Sequence, residues 1–261
     1  MSVRSPLINV MVQAAYKAGR NLIHDFGEVQ HLQVSLKGPG DFVTAADKRT
    51  EKILRQELHK ARPNYGFLCE ESGEEIGENP DVRWIIDPLD GTTNFLHSIP
   101  HFAISIGLEK EGFMIAGVIY DPVKDELFWA EKGRGAYVND RRMRVSSRKK
   151  LDISLIATGI PFGAHGNADE FSDHVKKIAP QVAGIRRMGA ASLDLAYVAA
   201  GRYEGFWETH LYPWDVAAGM LMIVEAGGKI TQCDGQPYKL GDYSILASNM
   251  GIHEPLVEMF A

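Results

Sequence analysis

One segment constrains the fold more than any other, the run WIIDPLDGTTNF at residues 84–95. Its first three residues are apolar and predict a short buried strand. Two carboxylates, Asp87 and Asp90, follow with Pro88 between them, and we expect this proline to end the strand in a turn. Gly91 and the two threonines after it then open a helix. The segment therefore predicts a strand end, two acids and a helix N-terminus at one point of the fold.

This convergence suits a phosphate group held together with metal ions. The free N–H groups and partial positive charge of a helix N-terminus favour an anion. Carboxylate oxygens are hard ligands of the kind that Mg²⁺ prefers. Because acids alone would repel a phosphate, the two features work together only with cations between them. A purely structural alternative is that Asp90 caps the helix.

Composition narrows the function classes. A net charge of -6 over 261 residues argues against a surface that coats nucleic acid, although 141–150 is a local basic run. A solvated hairpin and loop is the simpler interpretation of that run. Cys69 and Cys233 are far apart and have no metal-type spacing, which favours a reduced, cytoplasmic setting. Neither a signal peptide nor an apolar run of membrane-spanning length is expected.

The first half, 1–145, is expected to be a sheet covered by helices. Apolar spacing predicts helices over 7–29 and 44–60, with a loop at 37–41. Strand patterns and turn residues predict antiparallel pairing in most of this half. The predicted strands are 65–69, 84–86, 103–109, 113–121 and 126–131, with a turn at 139–140.

The second half, 146–261, alternates between strands and helices, which predicts an α/β layered unit packed tightly on the first. The predicted strands are 153–157, 184–187, 203–207, 229–231 and 244–246. The predicted helices are 168–179, 190–200, 213–226 and 251–260, the third closed by two glycines.

Residues 87–95 (DPLDGTTNF) resemble the signature of the inositol monophosphatase family, which are metal-dependent, lithium-sensitive phosphatases. The run WDVAAG at 214–219, followed by EAGG at 225–228, resembles the second signature of that family. The resemblance covers nearly the whole chain. It implies an α+β fold, the layered α-β-α-β-α sandwich of the inositol monophosphatase/fructose-1,6-bisphosphatase type, whose first sheet is mixed and largely antiparallel.

The resemblance also implies an active site with two or three Mg²⁺ ions. Taken alone, the adjacent acids Glu70 and Glu71 are a solvated pair or strand-end acids that point into a crevice. Taken alone, Asp215 is a favourable partner for a helix dipole. By resemblance the metal ligands are Glu70, Asp87, the Leu89 carbonyl, Asp90 and Asp215, with Asp87 bridging two ions.

Catalytic roles follow from the same resemblance. Thr44 and Asp47 have the spacing of a capping box, which is a structural role. The resemblance places Asp47 behind Thr92, so that the pair orients and deprotonates the attacking water. It counts Glu70 with them as catalytic, beside a third and weaker ion, and places Lys37 near the metals.

Substrate contacts are expected from both halves. Glu208 is a strand-end acid by position, but the resemblance makes it a ligand for inositol hydroxyls, for which a carboxylate is a good acceptor. The N–H groups of Gly91 and Thr92 would hold the phosphate. The full predicted substrate-binding set is Asp90, Gly91, Thr92, Gly189, Ala191, Glu208 and Asp215.

We therefore expect Mg²⁺-dependent hydrolysis of a phosphate monoester, with myo-inositol 1-phosphate as the expected substrate. The alternatives are the same chemistry on histidinol phosphate, fructose 1,6-bisphosphate, NADP or a nucleotide 3′-phosphate. An alternative of another class is an RNA or transcription-complex accessory protein. A cytoplasmic homodimer is expected, and the homodimer rests on resemblance alone.

Overall fold

The computed structural model describes residues 4–29, 34–38, 41–161 and 166–260; for 34–38 and 41–43 it describes the backbone only. Within these residues the helices are α1 Pro6–Gly27, α2 Ala45–Ala61, α3 Thr92–Leu96, α4 Ala168–Ile178, α5 Ala191–Ala199, α6 Pro213–Glu225 and α7 His253–Phe260. Short 3₁₀ turns lie at Leu151–Ile153 and Ala179–Gln181.

The described strands form three sheets. A two-stranded hairpin pairs β1 Val34–Gly38 with β2 Asp41–Thr44. The large sheet contains β3 Tyr65–Cys69, β4 Gly73–Glu75, β5 Asn79–Asp90, β6 Ala103–Lys110, β7 Phe113–Asp121, β8 Glu126–Glu131, β9 Gly135–Val138 and β10 Arg141–Arg142. The small sheet contains β11 Leu155–Thr158, β12 Gly184–Arg186, β13 Gly205–Thr209, β14 Lys229–Thr231 and β15 Ser244–Ser248.

The order of the large sheet is β10-β9-β8-β7-β6-β5-β3-β4, and only its β3–β5 pair is parallel. The order of the small sheet is β12-β11-β13-β15-β14. There β11 is parallel to both neighbours, whereas the pairs with β15 are antiparallel. The expectation of a mixed, largely antiparallel first sheet is confirmed.

Helices and sheets stack in five layers. The pair α1 and α2 covers one face of the large sheet, and α5 and α6 lie between the two sheets. On the far side of the small sheet, α4 and α7 pack together. The α-β-α-β-α sandwich is therefore confirmed. Since the middle helices contact both sheets, the division of the chain near residue 145 stays a prediction.

Small residues allow the middle layer to pack closely. A Cβ at Gly219 of α6 would lie 2.6 Å from the Cβ of Leu195 on α5. A Cβ at Gly117 of β7 would lie 2.9 Å from the carbonyl oxygen of Ala218. These close approaches hold α6 against both its partner helix and the large sheet. They fix the middle of α5 and α6, and the predicted site residues Ala191 and Asp215 lie in the first turns of these two helices.

Helix starts agree with the local signals in the sequence. Pro6 is the first residue of α1, and the Ser5 hydroxyl accepts the Ile8 N–H at 3.1 Å. At α2 the predicted capping box is present, because Thr44 and Asp47 bond each other's backbone N–H groups. Asp47 is fully buried, so this cap also lies inside the protein.

The prediction that Pro88 ends its strand is wrong. Strand β5 continues to Asp90, and its register against β6 shifts between Asp87 and Asp90. Asp87 pairs with Ser105 and Asp90 with Ala103, so β5 carries one extra residue at this point. Proline is tolerated at such a bulge because the ladder is already interrupted there.

Smaller corrections concern element bounds. The predicted loop 37–41 is the end of a hairpin, since β1 reaches Gly38 and β2 starts at Asp41; residues 39–40 lie outside the described residues. The strand predicted from 153 starts at Leu155, because a 3₁₀ turn closed by the Ser154 N–H and the Leu151 carbonyl precedes it. The strand predicted at 203–207 is Gly205–Thr209. No helix in the described ranges is both long and apolar enough to cross a bilayer.

Candidate active site

A cleft of about 420 Å³ lies where the ends of β5, β11 and β13 meet the starts of α3, α5 and α6. Its lining includes ten residues that the sequence predicts for the site. They are Glu70, Asp87, Leu89, Asp90, Gly91, Thr92, Gly189, Ala191, Glu208 and Asp215. Asp47 lies outside this lining and connects to it through Thr92.

The bulge in β5 brings Asp87 and Asp90 to the same face of the sheet. Side chains three residues apart on a regular strand point to opposite faces. Here the partners of the two acids are Ser105 and Ala103, which are two residues apart on β6 and therefore share a face. The Asp87 carboxylate also accepts the Leu89 N–H at 2.9 Å, which stabilises the bulged backbone. Both acids consequently line the cleft.

Asp90 does not cap the helix that follows it. The N-cap of α3 is Gly91, which has φ 92° and no side chain to bond the helix. A Cβ there would lie 3.0 Å from the His101 carbonyl oxygen and 3.3 Å from that of Gly189. Glycine is therefore required by both conformation and space. Asp90 instead accepts two hydrogen bonds from Ser192 of α5.

Glu70 and Asp215 reach the cleft from two other elements. The Glu70 N–H donates to the Ile86 carbonyl at 3.2 Å, which extends the parallel pairing of β3 and β5 and places Glu70 next to Asp87. The two carboxyl groups form a hydrogen bond. Asp215 lies in the first turn of α6 and accepts the Tyr212 N–H at 2.8 Å. Asp215 therefore caps its helix and also lines the cleft.

The four acids of the cleft, Glu70, Asp87, Asp90 and Asp215, repel one another. Burial raises the pKa of Asp87 well above its usual range, and the charges of the other three raise it further. Burial is also the largest cause of the raised pKa of Asp215, and the charges of Asp90 and Glu70 raise this pKa further. The pKa of Asp90 rises to about 6 through burial, against the Ser192 hydrogen bonds that lower it. A buried set of hard oxygen donors with excess negative charge fits Mg²⁺.

The described side chains do not by themselves enclose a cation. Within the described part of the chain, no three Asp, Glu, His or Cys side chains are gathered closely enough to form a metal-binding group. The lining and the mutual repulsion nevertheless place the four carboxylates around one space. Cations and water would complete such an open arrangement, as Mg²⁺ commonly retains several waters.

A chain of hydrogen bonds runs from the cleft into the core through Thr92. Its hydroxyl oxygen lies 3.2 Å from Oδ1 of Asp47 and 3.0 Å from the Leu89 carbonyl oxygen. On the other side of Asp47, Oδ2 accepts the Thr44 N–H at 2.8 Å and the Thr44 hydroxyl at 2.5 Å. Burial raises the pKa of Asp47 to about 7, against these two bonds that lower it. The Asp47 carboxylate therefore belongs both to the capping box with Thr44 and to the predicted catalytic pair with Thr92.

The profile of the "Inositol monophosphatase family" matches residues 3–260. The chain belongs to the inositol monophosphatase family. A curated protein of Mesorhizobium japonicum named "Inositol-1-monophosphatase" is 56% identical over 255 residues, which is 98% of this chain and 96% of that protein. The match confirms the expected class of enzyme, a phosphoric monoester hydrolase. Dependence on magnesium and sensitivity to lithium are general to this family.

Two further relatives carry a different name. The crystal structure of the extragenic suppressor protein suhB from Bartonella henselae is 55% identical, covers 98% of each chain and has a TM-score of 0.95. The "Nus factor SuhB" of Pseudomonas aeruginosa is 44% identical over 248 residues, covering 94% of this chain and 92% of that protein. The inositol monophosphatase fold is thus shared by relatives named as enzymes and by relatives named as factors.

Lys37, Glu71 and Glu208 are three further residues that the sequence connects with the site. The side chain of Lys37 lies outside the described residues. The Glu71 residue is half-buried, with its Oε1 atom buried, so its side chain does not lie in open solvent, and its backbone N–H donates to the Glu51 carboxylate at 2.8 Å. Glu208 lines the cleft on the side formed by the small sheet, as expected of a substrate contact, rather than lying on the outer surface.

Sequence reasoning missed Asn94, which connects the two sides of the cleft. Its side-chain N–H groups donate to the carbonyl oxygens of His101 and Met188, each at 2.8 Å. It is buried and lies directly after the two threonines of the first signature. Its position inside that signature was the available signal. By holding Met188, Asn94 positions the loop that leads into Gly189.

Sequence reasoning also missed Asp194, which lines the cleft, and Ser192, which bonds Asp90 from α5. Asp194 is 1% exposed, and its Oδ1 atom is buried without a hydrogen-bond partner. Burial raises its pKa, as do the charges of Glu208 and Asp90, while Arg187 lowers it. In the sequence Asp194 is an acid in a first helical turn, which is an ordinary position. Only the fold shows that it adds to the acidity of the cleft.

Proposed function

We propose that this chain hydrolyses myo-inositol 1-phosphate to myo-inositol and phosphate in the cleft, with Mg²⁺ as cofactor. One observation carries the proposal: Glu70, Asp87, Asp90 and Asp215 face a single cleft that also contains Glu208. The first four suit a metal-bound phosphate, and the fifth suits hydroxyl groups. The relatives named inositol-1-monophosphatase support the same substrate.

The ligands for two or three Mg²⁺ ions would be the four carboxylates and the Leu89 carbonyl. This set fits because it is rich in hard oxygen atoms and carries mutual repulsion that cations relieve. When bound, the ions supply positive charge to the phosphate and lower the pKa of water.

Thr92 and Asp47 supply the route for the proton of the attacking water. When the Thr92 hydroxyl donates to Oδ1 of Asp47, a lone pair of Thr92 remains to accept a hydrogen bond from water. As the water oxygen bonds to phosphorus, its proton passes to Thr92 and the hydroxyl proton of Thr92 passes to Asp47. The pKa of about 7 makes Asp47 a suitable acceptor near neutral pH.

The remaining contacts hold the substrate. The N–H groups of Gly91 and Thr92 at the start of α3 would bind phosphate oxygens, with Ala191 and Gly189 lining the opposite side. The Glu208 carboxyl would accept hydrogen bonds from the ring hydroxyls. The ester P–O bond then breaks, and the released inositol oxygen takes a proton from water in the open cleft.

The test is phosphate release with Mg²⁺ and with EDTA on inositol 1-phosphate, histidinol phosphate, fructose 1,6-bisphosphate, NADP and adenosine 3′,5′-bisphosphate. We expect Mg²⁺-dependent turnover that is fastest on inositol 1-phosphate. Faster turnover of another ester would overturn the substrate while leaving the reaction class. Turnover that persists in EDTA and in Asp87→Asn would overturn the role of the metal.

The SuhB relatives favour a second candidate function, which is binding within a transcription complex. Asp87→Asn separates the two functions, because it should abolish turnover and leave partner binding intact. The basic run offers exposed side chains for such binding, among them Arg141, Arg142 and Arg144. A homodimer and a cytoplasmic location are part of the same proposal and are checked by light scattering and by fractionation.

A further inference from the structure

The Glu208 carboxyl lies directly against the backbone of Gly159. A Cβ built on Gly159 would lie 1.8 Å from Oε1 of Glu208, 2.1 Å from its carboxyl carbon and 2.4 Å from Oε2. All three distances are far below van der Waals contact. The carboxyl therefore occupies the space that the side chain of any other residue at position 159 would fill.

Strand pairing explains this contact. Strands β11 and β13 are parallel, and Thr158 pairs with Trp207 as the last pair in the register. Gly159 follows Thr158 and Glu208 follows Trp207, so the two residues lie side by side at the carboxyl ends of the two strands. This end of parallel strands is where open α/β sheets bind ligands, and both residues line the cleft.

We propose that Gly159 is a specificity-determining residue, which positions the Glu208 carboxyl against the strand end so that the cleft admits and binds a polyol phosphate with neighbouring hydroxyl groups. The inference rests on the proposed function and deepens it. Gly159 acts through Glu208 and need not touch the substrate. Because Gly159 has no side chain, the carboxyl oxygens of Glu208 can lie against the cleft wall, and the space in front of them stays open.

A displaced carboxyl would have few places to go. The neighbouring wall already contains Asp194, whose buried Oδ1 has no hydrogen-bond partner, and Asp90 lies across the cleft. The charges of Asp194 and Asp90 repel Glu208, and the charge of Arg187, which also lines the cleft, attracts it. With Gly159 replaced by alanine, the Glu208 carboxyl would leave the strand end and no longer reach the ring hydroxyls that it would otherwise bind.

The backbone itself does not require glycine at this position. The φ of Gly159 lies outside the left-handed region, so alanine fits without backbone strain. The clash is with the end of a flexible side chain, which can rotate away. We therefore expect Gly159→Ala to fold normally and to change substrate recognition only.

The experiment compares Gly159→Ala with wild type on inositol 1-phosphate and on p-nitrophenyl phosphate, which has no hydroxyl groups. We expect KM for inositol 1-phosphate to rise about tenfold, the effect of one lost hydrogen bond to a charged group, with kcat/KM for p-nitrophenyl phosphate unchanged. Gly27→Ala is the matched control, since nothing lies within 4 Å of a Cβ there. An equal loss on both esters, or no loss on either, would overturn the proposal.

A double-mutant cycle tests whether Gly159 acts through Glu208. In a Glu208→Ala background, Gly159→Ala should have no further effect on KM; an additive effect would overturn the proposal. A crystal structure of Gly159→Ala gives a readout independent of any substrate. A displaced Glu208 supports the inference even if inositol 1-phosphate is not turned over, which would be a failure of the proposed function alone. An unmoved Glu208 would overturn it.

Discussion

Ser192 donates both its backbone N–H, at 2.8 Å, and its hydroxyl to one oxygen of Asp90. The two residues are about a hundred positions apart in the chain, on α5 and on β5. Both are buried. The middle helical layer therefore fixes the orientation of an acid that belongs to the large sheet. Asp90 can be aimed into the cleft only when the two layers are packed together.

Ser192→Ala should weaken the binding of Mg²⁺. The substitution removes the hydroxyl bond to Asp90 but keeps the backbone bond, so the carboxylate becomes less well oriented. The loss of one hydrogen bond to a charged group corresponds to about a tenfold weaker affinity. Calorimetric titration of the metal-free protein with Mg²⁺ measures it. Ser154→Ala, where the hydroxyl bonds the Lys150 carbonyl at 2.7 Å, should leave the affinity unchanged.

Thr92→Val should lower kcat and leave KM nearly unchanged. Valine keeps the shape of threonine but breaks the link between water and Asp47, and general-base catalysis contributes about 10²–10⁴-fold. Steady-state kinetics at saturating Mg²⁺ provide the measurement. Thr92→Ser retains the hydroxyl and should recover most of the rate. A fast Thr92→Val enzyme would exclude this proton route.

Asn94→Ala should destabilise the protein. The carbonyls of His101 and Met188 both lose their donor inside the protein, and an unsatisfied buried group costs about 1–3 kcal/mol. Urea denaturation would show the fall in the free energy of unfolding. Asn21→Ala is the control, because Asn21 is exposed and its side chain donates to the Lys17 carbonyl of its own helix. Equal stability of the two variants would contradict the role given to Asn94.

In the metal-free protein, Glu208 should make stability fall as pH rises. Burial, followed by the charge of Asp90, raises the pKa of Glu208 from 4.5 to about 8. Between these values the folded state holds a proton that the unfolded state has lost, so the stabilisation present below pH 4.5 disappears by about pH 8. Thermal unfolding in EDTA across this range should show a flatter profile for Glu208→Gln. A wild-type profile that rises toward pH 8 would contradict the sign.

Most of the site could be predicted from the sequence because its residues lie in two recognisable signatures. Asp87, Asp90, Thr92 and Asp215 are parts of those runs, and the structure places each of them at one cleft. Glu208 is also at the cleft, at a fixed distance before the second signature. The five-layer order was implied by the family resemblance, whereas helix and strand periodicity predicted the individual elements, because buried faces repeat at 3.6 or 2 residues.

What could not be predicted depends on contacts between distant segments. The sequence shows Pro88 as a strand breaker, but the pairing of β5 with β6 continues past it through a bulge. Ser192 looks like an ordinary polar residue, and only its position in the first signature marks Asn94; the roles of both come from partners about a hundred positions away. The residues around Gly159 do not indicate why a glycine lies there, because the space that it leaves is filled by a side chain on another strand.

Because of the extra residue at the bulge, the orientation of Asp87 and Asp90 depends on how many residues lie between them rather than on which residues these are. Substituting Leu89 changes a side chain, and its carbonyl remains in place. Inserting one residue while the bulge is kept would place the two acids three ladder positions apart and turn one of them to the opposite face of the sheet. Deleting one residue would remove the bulge and leave both acids on the same face, but would break the turn in which Asp87 accepts the Leu89 N–H. In the evolution of such a site, point substitutions between the two acids are therefore open routes, whereas a single-residue insertion in this segment separates the acids in one step.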